Sequence, residues 1–319
     1  MQKQKMKVGH ISGNTSSLIF DIVNTILLLM VCVITLYPFL NTVAISFNDS
    51  TDAVYGGIYL WPRVFSLRSY ETILLQSSTI PHSALISALR AVIGTALSTP
   101  LSMMLAYVMS RRDFVLRSAV TKLALFTMYV SGGLIPTVLT YRAYGLMNNF
   151  LVYILPGCIS AFNVLVMRSF IQGLPYELIE SAKIDGANDL TIMFRIVLPL
   201  ALPMVITFVI YYGVERWNEW YNGMLFIRSF EKRPLQLVLR GIIQTTGQAM
   251  MTSDLQQYNI TPFSEGIKMA CIVVTATPII LVYPFIQKYF VSGLTVGAVA
   301  PPIPLPLTSA NFKTKEENP

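Results

Sequence analysis

The chain has 319 residues, 54% of them hydrophobic and only 12% charged, with a mean hydropathy of +0.58. Soluble domains carry about 25% charged residues, so this composition excludes an ordinary soluble globular protein and points to lipid as the solvent. The net charge of +7 would suit nucleic acid, but the basic residues are scattered and form no groove-binding module; positive charge flanking membrane spans accounts for it.

In chain order, residues 1–17 are polar, with Lys3, Lys5 and Lys7, and read as a cytoplasmic tail. Residues 18–47 are apolar apart from Asp21, a run longer than the ~7–15-residue core of a cleaved signal, so a retained first span is predicted. Tyr37-Pro38 places a kink in its outer half. Residues 48–78 are mixed and read as an outer loop with short interfacial helices. A second span covers 81–110, with Arg90 near its outer end and Pro100 within, followed by the basic cluster Arg111, Arg112, Arg117 and Lys122.

A third span is expected at 118–140, its regularity broken by Gly132-Gly133 and Pro136, and a fourth at 150–167 after a brief loop. The polar stretch 169–197 then leads to a fifth span at 198–221. The segment 226–265 is polar and mixed, a sixth span occupies 266–290, and a Pro-rich tail runs from 291 to 319. About 20 apolar residues suffice to cross a bilayer core, so the fold class is all-α integral membrane with six transmembrane helices. Short loops set orientation. The Arg111–Lys122 cluster, set against the single Arg142 of the next connection, puts the second connection inside.

The stretch Leu174 to Pro199 is the one charge-bearing passage between two long apolar runs. Pro175 stands where a helix can begin, and Glu177 and Glu180 fall at its dipole-positive end. Leu178 and Ala182 lie four apart on one face, with Ile179 and Lys183 on the adjoining stripe. Gly186 can take the left-handed conformation that ends a helix, and Asn188 or Asp189 can cap a second one. By parity with the basic cluster, two spans away, this helix also lies inside.

This passage resembles the EAA motif of permease subunits from binding-protein-dependent ABC importers: Glu180-Ser181-Ala182, Asp185-Gly186-Ala187, then Ile196-Val197-Leu198-Pro199, with Ser181 in place of the usual first Ala. In that family the helix docks on a cytoplasmic ATPase and transmits nucleotide-driven motion. The resemblance covers nearly the whole chain. IYLWPRVFSLRSYETIL after the first span, residues 132–170, WNEWYNG at 217–223, PLQLVLR at 234–240 and QKYFVSGLTVGAV at 287–299 are similar to carbohydrate-type permeases. They look most like the maltose-type second permease and the branch taking up oligosaccharides and polysaccharide fragments in Gram-positive bacteria. Residues 300–319 depart from the family ending.

The resemblance implies a type I importer permease fold with both termini cytoplasmic in a bacterial cytoplasmic membrane. It also implies a second homologous permease, two cytoplasmic ATPase subunits that bind ATP and Mg, an extracytoplasmic sugar-binding protein and an oligosaccharide substrate.

A sugar path needs hydrogen-bonding groups and flat aromatic faces. The end of the fifth span supplies Tyr212, Glu215, Trp217, Asn218, Glu219 and Trp220. Trp217, Trp220 and Tyr221 are spaced for one helical face, and Tyr212, Arg216 and Trp220 for another. An aromatic belt at the outer interface is the alternative for the rings, and solvation the alternative for Glu215 and Arg216. Asn163 in the fourth span is either a path residue or a helix-to-helix hydrogen bonder, and Arg168 marks the inner interface.

Cys32, Cys158 and Cys271 lie in apolar runs and read as packing residues; His10 and His82 have no ligand-spaced partner, so no metal is expected. The chain has no GxxxxGK[ST] loop, since GIIQTTGQ at 241–248 lacks both spacing and lysine, and no catalytic triad or carboxylate dyad. No catalytic residue and no cofactor are expected in this chain, and a partner must supply the free energy. The alternative class is a membrane-embedded enzyme or channel handling lipid-linked sugars, which would need a perturbed acid or base within the spans.

Overall fold

The computed structural model describes residues 15–244 and 265–298. The N-terminal tail up to residue 14, most of the mixed segment after residue 244 and the tail from 299 onward lie outside the described residues, as does the second half of GIIQTTGQ. Among the described residues every regular element is helical, and a lone antiparallel bridge pairs Asn48 with Phe65.

Three helices, Thr15–Ser46, Thr79–Ser110 and Glu265–Ala298, contain stretches long and apolar enough to cross a membrane. At ~1.5 Å per residue, a 32-residue helix such as Thr15–Ser46 runs about 48 Å, beyond the ~30 Å hydrocarbon core. Pro38 and Pro100 sit inside the first two without ending them. The first helix is exposed from Leu18 to Leu40, so no described part of the chain covers its apolar surface.

The other expected spans are less regular. The third stops at Tyr129 and restarts at Leu134. Between them Gly133 has φ +84°, a conformation that disfavours a Cβ and ends helical continuity where the Gly-Gly pair suggested it. The fourth is a 3-10 turn Phe150–Tyr153, an irregular stretch, and a helix Ala161–Gln172 capped by Ser160. Those 12 helical residues reach only about 18 Å, so no single helix spans 150–167. The fifth begins as a stretch Asp189–Leu200, containing a π turn Met193–Val197, and bends by 84° before Leu202–Asn218. The sixth continues past 290 to Ala298. With each broken pair counted once, up to five spans are recognised by length and composition.

The described residues within Met1–Ala96, Gly132–Gly157 and Tyr212–Leu281 form one compact unit, and those within Leu97–Ser131, Cys158–Tyr211 and Val282–Pro319 a second. In the first, Ile73, Ile80, Trp217, Leu235, Val238, Ile242, Ala270 and Cys271 form one apolar cluster. Leu235, Val238 and Ile242 come from the helix Leu235–Gln244, spaced i, i+3 and i+7 so that one face is buried. The polar reading of this segment missed that helix. A second cluster gathers Leu146, Val152, Tyr153, Ile154, Phe226 and Ile227. The expected loop at 48–78 holds the short helices Ser50–Ala53 and Arg68–Glu71; Asp49 caps the first, and buried Asn48 accepts the Val64 N–H at 2.9 Å. In the second unit, Arg117–Tyr129 packs along Ala161–Gln172, and Val164, Met167 and Ile171 supply the buried face of the latter.

Candidate functional site

The polar stretch folds within the second unit as the helix Glu177–Ile184, starting two residues after Pro175. Glu177 and Glu180 occupy its first turn, where unpaired N–H groups and the dipole favour carboxylates. Ile179 and Ala182, three apart, point inward and are buried; Glu180, Ser181, Lys183, Asp185 and Gly186 are exposed. Leu178, expected to share the face of Ala182, is exposed instead, because burial follows the i, i+3 pair.

Helix termination is local chemistry. Gly186 has φ +79°, its N–H donates to Lys183 O at 3.0 Å, and Ala187 N–H donates to Ala182 O at 2.9 Å. These paired bonds satisfy the last carbonyls of the helix. Of the two proposed caps Asn188 takes the role, accepting Thr191 N–H at 2.8 Å. The turn leaves Ile184 86% exposed, with Leu190 also exposed beyond it, so apolar side chains stand beside Glu180 and Asp185 on a free surface.

A charge network fixes this helix. Lys183 Nζ donates to Asp113 Oδ2 at 2.6 Å, Arg111 reaches the same carboxylate at 3.1 Å and Asp189 at 3.4 Å, and Tyr107 O–H donates to Asp189 at 3.4 Å. Arg112 stacks on the ring of Tyr176 at 4.5 Å, just before the helix. The hydrogen bond from Lys183, then that from Arg111, holds the Asp113 carboxyl well below the usual carboxylate range. Sequence reasoning counted Arg111 and Arg112 only as inner-side charge and missed Asp113 and the Lys183 pairing. The carboxylate of Asp113 directly after Arg111 and Arg112 was the available signal.

The residues expected along a sugar path fall in different surroundings. Arg90 is 0% exposed; its guanidinium donates to Glu219 Oε2 at 3.0 Å, to Trp217 O at 3.3 Å and to Glu219 O, and stacks over Tyr153 at 5.0 Å. It thereby satisfies carbonyls at the end of Leu202–Asn218, where a cation also suits the dipole. Glu219 Oε1 in turn accepts Asn222 N–H at 2.6 Å, opening the helix Tyr221–Phe226. Arg216, for which solvation was the alternative reading, is instead buried and donates to Tyr153 O and, at 3.0 Å, to Gly157 O. Gly94 leaves the room: a Cβ there would stand 3.2 Å from the Arg216 Cδ.

Because the helix stops at Asn218, the predicted face through Trp217, Trp220 and Tyr221 does not exist, and Trp220 does not continue the stripe of Tyr212 and Arg216. Trp217 is buried and its indole donates to Thr275 O at 3.2 Å. Trp220 instead lies under the Arg240 guanidinium, 3.6 Å from its ring centroid. Tyr212 is buried, Glu215 is exposed, and Asn218 accepts from Gln236 at 3.1 Å. Asn163, in the second unit, is 0% exposed, yet among the described residues neither its Oδ1 nor its Nδ2 has a hydrogen-bond partner. The helix-to-helix bond that was one reading of it is not made among these residues. Cys158 and Cys271 are buried, whereas Cys32 is exposed on the first helix.

Residues 98–296 match the family described as the binding-protein-dependent transport system inner membrane component. The chain is 41% identical over 283 residues to the polygalacturonan/rhamnogalacturonan transport system permease protein YtcP of Bacillus subtilis, covering 88% of this chain and 98% of that protein. It is 36% identical over 291 residues to the protein LplC of the same organism, covering 91% and 98%. Among solved structures, a chain of a bacterial ABC transporter involved in the import of the acidic polysaccharide alginate superposes with a TM-score of 0.80 at 28% identity, covering 88% of this chain and 99% of that one.

Proposed function

We propose, from the premise that this chain belongs to the binding-protein-dependent transport system inner membrane components, that it is the permease subunit through which fragments of an acidic polysaccharide enter the cell. A permease of this family is a multi-pass membrane protein and not an enzyme. The observation that carries the substrate class is the 41% identity to a polygalacturonan/rhamnogalacturonan permease over 98% of that protein. The likeness to a chain of an alginate importer points to the same chemistry, a uronic-acid polymer.

In this reading the chain crosses the bilayer six times: three continuous helices, two broken ones and the segment 150–172, with both termini cytoplasmic. The basic connection 111–122 and the helix Glu177–Ile184 share the inner side. A homologous second permease, two ATPase subunits holding ATP and Mg, and an extracytoplasmic sugar-binding protein complete the assembly. Glu180, Ser181, Ala182, Asp185, Gly186 and Ala187 form the element that meets an ATPase. Its exposed carboxylates and Ile184 offer the contact, while Ile179, Ala182 and the Lys183–Asp113 pair tie it to its own unit. Movement of an ATPase would then be passed to the unit and not absorbed in a loose loop.

For the path, Asn163 is the strongest candidate, since its carboxamide is buried and unpartnered. Glu215 and Asn218 remain candidates on the exposed side of their helix. Tyr212, Trp217, Glu219 and Trp220, buried or engaged by neighbours within the first unit, would hold Glu215 and Asn218 in place.

The test is ATP-driven uptake by the reconstituted assembly with its binding protein. Oligogalacturonides should be accumulated and should stimulate ATP hydrolysis. Accumulation of neutral oligosaccharides alone would overturn the acidic assignment, and no ATP-dependent accumulation of any oligosaccharide would overturn the importer reading.

A further inference from the structure

Beside the network that holds the helix Glu177–Ile184, the second unit carries a cavity of about 530 Å³ whose lining is strongly cationic. Arg112, Arg117, Lys122 and Arg168 line it together with the hydroxyls of Ser118 and Thr121, and no carboxylate among the described residues does. The nearby Asp113 is engaged by Arg111 and Lys183. The cavity also lies at the start of the helix Arg117–Tyr129, where no side chain caps the free N–H groups and no acidic residue occupies the first turn. Four positive side chains and an uncapped helix start therefore converge without an internal counterion.

Such an arrangement carries an unfavourable self-repulsion unless an anion occupies it. Arg168 is bound to one side of the cavity by its hydrogen bond to Thr121 Oγ1 at 2.8 Å, and its Nε is buried with no acceptor. Guanidinium groups present paired donors matched to phosphate oxygens, and the Ser118 hydroxyl supplies a further donor, the Thr121 O–H being given to Arg117 O at 2.6 Å.

The same lining distinguishes a lipid from a free anion. Phe114 and Val115 complete it, and Val115 is 93% exposed, with Leu116 exposed next to it. Apolar side chains projecting beside a ring of cations at the end of membrane helices suit the boundary between headgroups and acyl chains. A soluble phosphate would gain nothing from them.

We propose that this cavity is a binding site for the phosphodiester headgroup of an anionic phospholipid, with Arg117, Lys122 and Arg168 on the phosphate and Phe114 and Val115 against the acyl chains. Arg112 joins the site to the coupling element, since its guanidinium also stacks on Tyr176 directly before the helix. An occupied site would steady the connection on which that helix rests. The proposal depends on the membrane reading of the chain but not on the sugar, so lipid binding can fail while uptake stands, and the reverse.

The experiment is native mass spectrometry of the whole transporter released from nanodiscs of phosphatidylcholine mixed with phosphatidylglycerol. Wild type should retain phosphatidylglycerol, and the double variant Arg117→Gln/Lys122→Gln should lose on the order of tenfold of it, each basic side chain near an anionic surface contributing a several-fold factor. A control, Arg142→Gln/Arg228→Gln, removes the same charge elsewhere and should retain the lipid. Equal loss in the control would reduce the effect to net charge and overturn the site, as would equal retention in the test variant with an unchanged melting temperature. Displacement of the lipid by inorganic phosphate at matched concentration would overturn the lipid assignment in favour of a free-phosphate site. A test variant that melted early would be replaced by Lys122→Gln alone, judged by the same loss.

Discussion

Lys183 and Asp113, 70 residues apart in the chain, meet at 2.6 Å, so the helix expected to contact an ATPase is tied to the connection that follows the helix Thr79–Ser110. Both side chains are substantially exposed, 39% and 53%, so the pair contributes little to stability, about 0–1 kcal/mol. Its role is to fix direction. Asp113→Lys should leave the melting temperature nearly unchanged yet lower ATP-driven uptake several-fold, and the swap Asp113→Lys/Lys183→Asp should restore part of it. Full uptake in the single variant would show that the pair transmits nothing.

The pH dependence of this contact follows from its sign. The folded Asp113 carboxyl is depressed by Lys183 and Arg111, so its stabilisation is complete above the ordinary carboxylate value of about 3.9 and disappears only as pH falls through the lower folded value. Transport measured between about pH 5 and pH 8 should therefore show no inflection abolished by Asp113→Asn. An inflection in that window present in wild type and absent in the variant would contradict the ion-pair assignment.

Gly186 can be tested apart from its neighbours because its requirement is conformational. At φ +79° an alanine Cβ costs about 1–2 kcal/mol, although nothing within 4 Å would strike it. Gly186→Ala should loosen the turn and reduce capture of the ATPase from membranes by a few-fold, Gly186→Pro should abolish capture, and Glu180→Lys should abolish it without loosening the turn. Quantitative co-purification with insertion confirmed by protease mapping checks all three.

Glu219 faces Arg90 inside the first unit, and removing one partner of a buried pair leaves an uncompensated charge at a cost of about 3–5 kcal/mol. Glu219 is itself partly exposed, so Glu219→Gln should fall toward the lower end of that range, whereas Arg90→Met should lose more because three acceptors are orphaned together. Thermal melting in detergent measures both. If Glu219→Gln were neutral in stability but changed substrate selection, Glu219 would belong to the path after all.

Asn163 offers the cleanest separation of path from packing. A buried carboxamide without partners is unfavourable, so Asn163→Leu should be neutral or stabilising by about 1–3 kcal/mol. If the carboxamide serves the sugar, uptake should nevertheless drop by roughly tenfold, since a hydrogen bond to a buried group is worth about 1–1.5 kcal/mol or more. Stabilisation with full uptake would remove it from the path.

Much of this protein is legible from residues close together in the chain. A helix start after Pro175, a stop at Gly186 and a cap at Asn188 depend on bonds spanning three to five residues, so they could be read from spacing and residue type. The membrane character and the helical class follow from composition, because lipid leaves backbone groups no partners but one another. What tertiary structure alone decided lies where distant charges cancel. Arg90 and Glu219 stand 129 residues apart, and nothing local announces that they pair, that Arg216 is buried, or that the helix ends at Asn218 and breaks the aromatic face. Likewise an apolar run at 118–140 reads as one span, while a single glycine at positive φ divides it, since hydropathy averages over residues and backbone geometry does not. Local hydrogen-bonding needs are written within a turn of helix; the neutralisation of a buried charge is settled only by whichever element the fold brings to it.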